Sequence, residues 1–166
     1  HKLPRRPTVA VVAGACAILL MSFPIEVVPG VIFDLRTVPV VLGRLFGGPL
    51  VGLAVGAIAA VYRLAIGGMG ALPAMAGMAL ITVLGMTAGH VLKGRIPSTS
   101  ALLVVAAAAA AANMVGPLLL PADIRWQILE QVTLPAMGIV FVALLFVGKM
   151  VANTLERRQI VKDLRV

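Results

Sequence analysis

Two arginines, Arg36 and Arg63, are the residues whose type and position in this chain could do chemistry. Both lie within residues 33–70, a stretch that is otherwise almost entirely apolar or glycine-rich. An arginine inside a membrane segment costs at least ~2.5 kcal/mol on insertion scales, so it is expected to have a function and a partner. Because guanidinium groups bind carboxylate and phosphate oxygens strongly, the partner we expect is a small anion.

The two arginines are predicted to lie at the same depth. Residues 47–49, Gly-Gly-Pro, break the stretch into a helical hairpin, with Arg36 twelve residues before Gly48 and Arg63 fifteen after it. The difference of three residues corresponds to about 4.5 Å of helix rise. Both guanidinium groups are therefore expected toward the extracytoplasmic side.

A glycine loop is expected to complete this site. Gly67, Gly68 and Gly70 follow Arg63 and leave the membrane at the same level, and glycine allows the backbone to approach a ligand closely. Pro73 is well placed as the first residue of the next helix, whose free amide donors and positive dipole end face this depth. The sequence therefore predicts a site for a carboxylate or a phosphate.

Several of these residues also have a purely structural interpretation. Arg63 could extend to the outer membrane interface beside Tyr62, an aromatic residue typical of that depth. Arg36 could form a salt bridge with Glu26 or Asp34. Asp34 is also a good N-cap for the following helix, because its position two residues before Arg36 puts the two side chains on different helix faces.

Other polar and small residues are explained by packing and topology. Arg44 is interpreted as an anchor at the cytoplasmic face. Three glycines spaced by four residues are typical of close helix packing, namely Gly48, Gly52 and Gly56. Gly85 and Gly89 form a weaker instance of the same pattern, and Asn113 is expected to hydrogen-bond to a neighbouring helix. His90 is interpreted as an interfacial side chain.

The composition requires a membrane protein. Of 166 residues, 61% are hydrophobic and 12% charged, with a mean hydropathy of +1.09, so too little polar surface remains for a soluble domain. Uncharged runs cover residues 7–25, 45–62, 64–92, 96–122 and 131–148. Each run approaches or exceeds the roughly 18 to 20 residues that a spanning helix needs. We therefore predict an all-α, polytopic transmembrane helical bundle.

The predicted helices cover residues 8–28, 35–46, 50–66, 73–92, 101–120 and 130–150, with a loop over 121–126. The second helix is short, about 18 Å, and the distribution of charge indicates whether it crosses. If it crosses, both termini are cytoplasmic and 11 basic residues lie inside against 3 outside; if it is re-entrant, the split is 9 against 5. Because cytoplasmic loops are enriched in Lys and Arg, we predict five long spans plus one short crossing limb.

Several other classes of function find no support in the sequence. Lys2, Arg5 and Arg6 precede an apolar run without a cleavage site, so the first segment is expected to remain a membrane helix. The single Cys16 cannot form an internal disulfide, and two histidines do not make a metal constellation. The basic residues behind the net charge of +8 lie between the hydrophobic spans, and no aromatic platform accompanies them. No nucleic acid partner is therefore expected. No catalytic set or nucleotide loop is present, so neither an enzyme nor a cofactor is expected.

The arginine-bearing stretch also resembles a known family. The elements are Asp34-Leu35-Arg36, Leu45-Phe46-Gly47-Gly48-Pro49 with Gly52 and Gly56, Tyr62-Arg63-Leu64, and Gly67-Gly68 with Gly70-Ala71-Leu72. Together they are similar to the LytS-type five-transmembrane receptor domain, whose pattern is Asn/Asp-x-Arg, a Phe/Leu-Gly-Gly-Pro turn, a small-residue helix, Tyr/His-Arg and a Gly-Gly loop. The dense similarity covers about 40 residues, and the number of spans extends it over the chain.

The resemblance implies a bacterial inner-membrane sensor placed before a cytoplasmic histidine kinase or diguanylate cyclase domain. Some relatives are pyruvate receptors in which two motif arginines contact the ligand, and the matching positions here are Arg36 and Arg63. The ligand-binding candidates are therefore Arg36, Arg63, Asp34, Tyr62, Gly67, Gly68 and Gly70, with a monocarboxylate as the expected ligand. Two departures bear on ligand identity. Many kinase-linked members have Asn in place of Asp34, and residues 73–77 offer no hydroxyl or thiol.

Residues 1–150 are predicted to form the transmembrane sensor domain, and residues 151–166 a cytoplasmic signalling helix. Leu155, Ile160 and Leu164 give only a broken heptad, so a bare charged tail is the alternative. Because such output domains usually work as dimers, we expect a homodimer in the lipid bilayer. Two other functions remain open, a small-molecule-binding membrane subunit of a transporter and a structural dimerisation anchor.

Overall fold

The computed structural model describes residues 6–22, 25–28, 31–33, 35–68, 70–93 and 95–163. In these residues the chain is mainly helical, with one short hairpin of strands and short connections. The elements in chain order are α1 (Arg6–Ser22), β1 (Ile25–Val28), β2 (Val31–Phe33), α2 (Thr37–Gly47), α3 (Pro49–Ile66), α4 (Ala71–Val91), α5 (Thr99–Ala112), α6 (Val115–Leu118), α7 (Ala122–Ile128), a π-helical turn (Leu129–Thr133) and α8 (Leu134–Asp163).

Four helical segments are long and apolar enough to cross a membrane. They are Pro49–Ile66, Ala71–Val91, Thr99–Leu118 and Ala122–Arg158. Two further apolar helices, Val11–Ser22 and Thr37–Gly47, are shorter. The predicted polytopic bundle of helices is therefore confirmed, and the chain is a multi-pass membrane protein. The count of five long spans and the side on which the termini lie stay predictions.

The first helix is shorter than the sequence predicts. It ends at Ser22 rather than at residue 28, and β1 then pairs with β2 in antiparallel register, with Ile25 opposite Phe33. Pro24 follows in the sequence; it has no amide hydrogen and disfavours helical backbone in the residue before it. The Ile and Val residues that come next are β-branched and favour strands, so the helical prediction fails over residues 25–28.

The last helical segment begins earlier than predicted. Residues 121–126 are not a loop, because α7 begins at Ala122 and continues through the π-helical turn into α8. Asp123 lies in the first turn of α7, where a carboxylate interacts favourably with the positive end of the helix dipole. The segment predicted over 101–120 is also divided, since α5 ends at Ala112 and α6 begins at Val115.

Helices α2 and α3 form an antiparallel hairpin joined by Gly48. The backbone of Gly48 has φ 93°, which glycine adopts readily and other residues avoid. A Cβ added at Gly52 would lie 2.6 Å from Arg44 Cβ, and one added at Gly43 would lie 3.5 Å from Val55 Cγ2. Residues that face each other across the hairpin therefore lie at similar distances in sequence from Gly48. The same register brings the start of α2 level with the last turns of α3.

The core joins α1, α2, α3, α4, α5 and α8. Its most deeply buried apolar side chains belong to Ala17, Val41, Val55, Ala59, Ala106 and Val140. Small residues on α3 and α5 allow the helices to approach closely. This packing holds α2 between α3, α4 and α8. Arg36, at the start of α2, and Arg44, in its last turn, are therefore held at opposite ends of this helix.

Candidate functional site

Arg63 is a fully buried cation at the end of α3. Its side chain is 0% exposed, so the alternative in which it extends to the membrane interface is wrong. Arg63 Nη1 donates a hydrogen bond to the Gly67 carbonyl oxygen at 2.5 Å, and the Gly67 amide donates to the Arg63 carbonyl oxygen at 3.2 Å. The side chain therefore closes the last turn of its own helix, whose final carbonyls need such partners.

The glycines after Arg63 are required by the backbone. Gly67 has φ 72° and ψ −151°, a region that is essentially restricted to glycine. Gly68 has φ 90°, a value that glycine adopts more readily than other residues. The Gly68 carbonyl accepts from the Ala71 amide at 3.0 Å. Gly70 is buried and occupies the N-cap position of α4. The three predicted glycines thus form the tight connection that brings the amino terminus of α4 next to the end of α3.

Arg36 lies at the amino-terminal end of α2 and is half-buried. It occupies the N-cap position of that helix, two residues later than the Asp34 N-cap that the sequence predicts. Asp34 itself, and its predicted pairing with Arg36, lie outside the described residues, as does the side chain of Glu26. Arg36 and Arg63 both have interaction partners in the structure. Neither guanidinium is therefore an isolated charge.

A small cavity lies beside Arg36, between α2 and α4. It has a volume of about 10 Å³ and is lined by Arg36, Thr37 and Val40 of α2 and by Met78 and Ile81 of α4. Such a volume is roughly what one water molecule needs. The Met78 side chain is unbranched and adaptable, so this wall of the cavity can change shape.

Tyr62 connects α3 to α1. Its hydroxyl lies 3.2 Å from Ser22 Oγ, and Ser22 Oγ donates to the Ile18 carbonyl oxygen at 2.8 Å. Because the serine proton is used in that bond, Tyr62 is the donor to Ser22. Tyr62 therefore positions the turn of α3 that carries Arg63 by holding it against the end of α1.

Thr37 and Asn113 were not among the predicted site residues, yet they hold the residue next to Arg36. Thr37 is 1% exposed, and its hydroxyl donates to Asn113 Oδ1 at 3.0 Å. Asn113 Nδ2 in turn donates to the Ala109 carbonyl oxygen at 2.8 Å. The predicted hydrogen bond of Asn113 to a neighbouring helix is thus confirmed. In the sequence, Thr37 directly follows Arg36. That position is the signal that could have identified Thr37 as a residue that holds the start of α2 in place.

The open end of the α2–α3 hairpin is therefore rich in positive charge and donors. Arg36 begins α2, Arg63 ends α3, and the amino terminus of α4 follows the glycine connection. A helix amino terminus carries a partial positive charge and free amides that favour anions. In surroundings of low dielectric such groups act more strongly on a carboxylate or phosphate than they would in water.

Comparison with known proteins assigns the chain to a family. The family model described as 5TMR of 5TMR-LYT matches residues 1–154, which include every element from α1 through most of α8. No curated protein matches the chain, and no solved structure matches it. The family is a membrane sensor domain. The chain therefore belongs to the LytS-type five-transmembrane receptor family, as its Asp-x-Arg, Gly-Gly-Pro and Tyr-Arg elements indicated.

Proposed function

We propose that this sensor domain binds a small anion, a carboxylate such as pyruvate first, and signals to a cytoplasmic diguanylate cyclase or histidine kinase domain. The observation that carries the proposal is Arg63, a cation with 0% exposure at the same end of the hairpin as Arg36. Charged residues inside a membrane bundle usually mark a ligand or ion pathway. Family membership favours sensing over the transport subunit and over the structural anchor.

The cavity beside Arg36 suggests how a ligand would change the bundle. Its volume of about 10 Å³ suits one water molecule and is smaller than a three-carbon carboxylate. A ligand that reaches Arg36 must therefore move α2 away from α4 or displace the Met78 side chain. It would then stabilise the more open packing, because a ligand shifts an equilibrium only through its different affinity for the two states.

Helix α8 is suited to carry such a movement toward an output domain. It packs against α2, since a Cβ added at Gly148 would lie 3.6 Å from Leu42 Cδ2. The helical segment that contains α8 begins at Ala122 and extends through Asp163. Displacement of α2 would thus reach residues 151–166, which we propose as the signalling helix.

We also propose that the domain is a homodimer in the inner membrane of a bacterium, with both termini in the cytoplasm. An apolar face of α8 supports this arrangement because its side chains are more than half exposed and spaced by three or four residues. Ile139, Val142, Phe146 and Met150 are 55%, 62%, 71% and 57% exposed. This face can contact lipid or a second copy of α8. The proposal assigns no catalytic step and no cofactor to the domain.

A thermal-shift screen on the purified domain tests the proposed ligand class. Pyruvate, other small carboxylates and inorganic phosphate would be compared with methyl pyruvate, which lacks the charge. We expect a carboxylate, but not the ester, to raise the melting temperature of the wild type. Arg36→Ala and Arg63→Ala should abolish the shift, whereas Arg158→Ala, which alters an exposed arginine of α8, should retain it. A carboxylate shift that survives both site substitutions would contradict the proposal.

A further inference from the structure

A second cavity lies at the opposite end of the α2–α3 hairpin, near Gly48. It has a volume of about 330 Å³ and is enclosed by the hairpin turn, the end of α4, the α4–α5 connection and Leu155 of α8. Four of its lining residues are basic or titratable, namely Arg44, His90, Lys93 and Arg95. None of the described residues that line this cavity is acidic. It is therefore a concentration of positive charge separate from the Arg36 and Arg63 end.

The Arg44 side chain reaches this cavity through a groove made by glycines of two helices. A Cβ added at Gly52 of α3 would lie 2.6 Å from Arg44 Cβ, and one at Gly85 of α4 would lie 3.5 Å from Arg44 Cγ. At Gly89 an added Cβ would lie 2.7 Å from Arg44 Cζ. The glycines thus leave space along the whole length of the side chain. These glycines do more than allow close helix packing, because the space that they leave positions the guanidinium of Arg44.

The guanidinium of Arg44 has unused donors at this position. Nη2 lies 3.4 Å from the Met86 carbonyl oxygen, which is a long and weak hydrogen bond. Nε is buried and has no hydrogen-bond partner among the residues that the structure describes. Buried donors in native proteins are nearly always paired with protein, water or ligand atoms. An anion in the adjoining cavity would give the guanidinium a stronger partner than the Met86 carbonyl oxygen.

Lys93 is in a backbone conformation that favours glycine. It directly follows the end of α4 with φ 47°, and its amide donates to the His90 carbonyl oxygen at 3.2 Å. Glycine is the usual residue at such a helix end, since other residues pay a steric cost there. A cation at a helix carboxyl terminus also interacts favourably with the helix dipole, and Lys93 lines the same cavity as Arg44.

We propose that this cavity binds a phosphate group, contributed either by the headgroup of an anionic phospholipid or by a free phosphate compound. Guanidinium and ammonium donors on three segments suit a multiply charged oxyanion, and basic pockets between helices at a membrane face bind anionic headgroups. Leu155 lies on α8, in the part proposed as the signalling helix. An occupant would therefore contact both the hairpin turn and the helix that leads to the output domain.

The test is a titration of the detergent-solubilised domain, followed by thermal shift, with four probes. These are phosphatidylglycerol, zwitterionic phosphatidylcholine, inorganic phosphate and ATP. Variants would be Arg44→Gln, Gly89→Ala, in which the new methyl group displaces the guanidinium, and Lys93→Gly. Arg158→Gln, an exposed arginine outside the cavity, is the control. Lys93→Gly relieves the unfavourable φ, so its folded state should be at least as stable as the wild type.

We expect phosphatidylglycerol to raise the melting temperature at lower concentration than phosphatidylcholine. Lys93→Gly and Arg44→Gln should each weaken this effect about fivefold, which corresponds to one lost cation at an anionic surface. A shift with phosphatidylglycerol alone would identify a lipid headgroup, and an equal shift with ATP or inorganic phosphate would identify a free phosphate compound. The proposal is overturned if no phosphate probe exceeds phosphatidylcholine, or if the effect persists unchanged in Lys93→Gly and Gly89→Ala.

Discussion

A single turn at the end of α3 holds a charge inside the bundle. Arg63 Nη1 can donate to the Gly67 carbonyl oxygen because the backbone of Gly67, at φ 72° and ψ −151°, directs that carbonyl back toward the helix. The same residue donates its amide to Arg63. The conformation of one glycine thus fixes both the end of the helix and the position of the guanidinium.

Substitution of Gly67 by alanine is therefore expected to destabilise the domain. No atom lies within 4 Å of an added Cβ, so the cost would arise from backbone strain alone, about 1 to 3 kcal/mol. The matched control is Gly138→Ala in α8, where the space is also open but the backbone is helical. That change should be neutral or stabilising by up to about 1 kcal/mol. Unfolding in mixed detergent micelles measures both, and equal effects would contradict the explanation.

At the residue scale, the common level of Arg36 and Arg63 stays a prediction from the sequence. Both positions are counted from the Gly48 turn, and the helical rise converts that count into depth. The burial of Arg63 could not be predicted, because it depends on how α1 and α4 pack around α3. The contact of Tyr62 with Ser22 was also inaccessible, since the two residues are 40 positions apart.

The π-helical turn is the irregular element in the segment that leads to the output. The Leu134 amide donates to the Leu129 carbonyl oxygen, one residue farther than in an α-helix. Thr133 is 0% exposed, and its hydroxyl donates to the Ile128 carbonyl oxygen at 3.1 Å. Pro135 follows and has no amide hydrogen to donate. Such turns often occur at functional sites, and this one lies between α7 and the part of α8 that packs in the core.

Thr133→Val should destabilise the domain by about 1 to 3 kcal/mol, because it leaves the buried Ile128 carbonyl without this donor. Thr154→Val is a close control: its hydroxyl donates to the Met150 carbonyl oxygen at 2.8 Å, but at an exposed position. That substitution should change stability by no more than about 0.5 kcal/mol. Equilibrium unfolding of the two variants in the same micelles provides the comparison. Similar losses would indicate that the π-helical turn does not depend on Thr133.

At the element scale, the hydrophobic runs were enough to predict a polytopic bundle of helices but not where each helix begins and ends. Residues 121–126 contain Asp123, Arg125 and Trp126 and resemble a polar connection. Residues 122–126 are nevertheless helical, in a segment that continues directly into α8. Arg125 also helps, since its Nε and Nη2 both donate to the Leu120 carbonyl oxygen, at 3.0 and 2.8 Å.

The whole molecule has two ends of different character. The Arg36 and Arg63 end contains one buried and one half-buried cation and the glycine connection, whereas the Arg44 end contains an open basic cavity beside α8. If all six helical segments cross the membrane, both termini lie on the same side, and the more basic end faces the cytoplasm. The proposed ligand would then enter from the periplasm.

Labelling with a membrane-impermeant thiol reagent in intact cells tests this topology. In a Cys16→Ala background, Ser100→Cys in the first turn of α5 should be protected, and Asp123→Cys at the start of α7 should be labelled. Both positions are exposed in the structure, so a difference between them reports the side of the membrane. Labelling of both positions, or of Ser100→Cys alone, would contradict the predicted orientation.

The central claim is that Arg36 and Arg63 together bind one carboxylate. Equilibrium binding of radiolabelled pyruvate to membranes that contain the domain tests it most directly. The account predicts saturable binding by the wild type and by Arg158→Gln, and about tenfold or greater loss of affinity, 1.4 kcal/mol or more, for both Arg36→Gln and Arg63→Gln. Saturable binding that is unchanged in these two variants would contradict the claim.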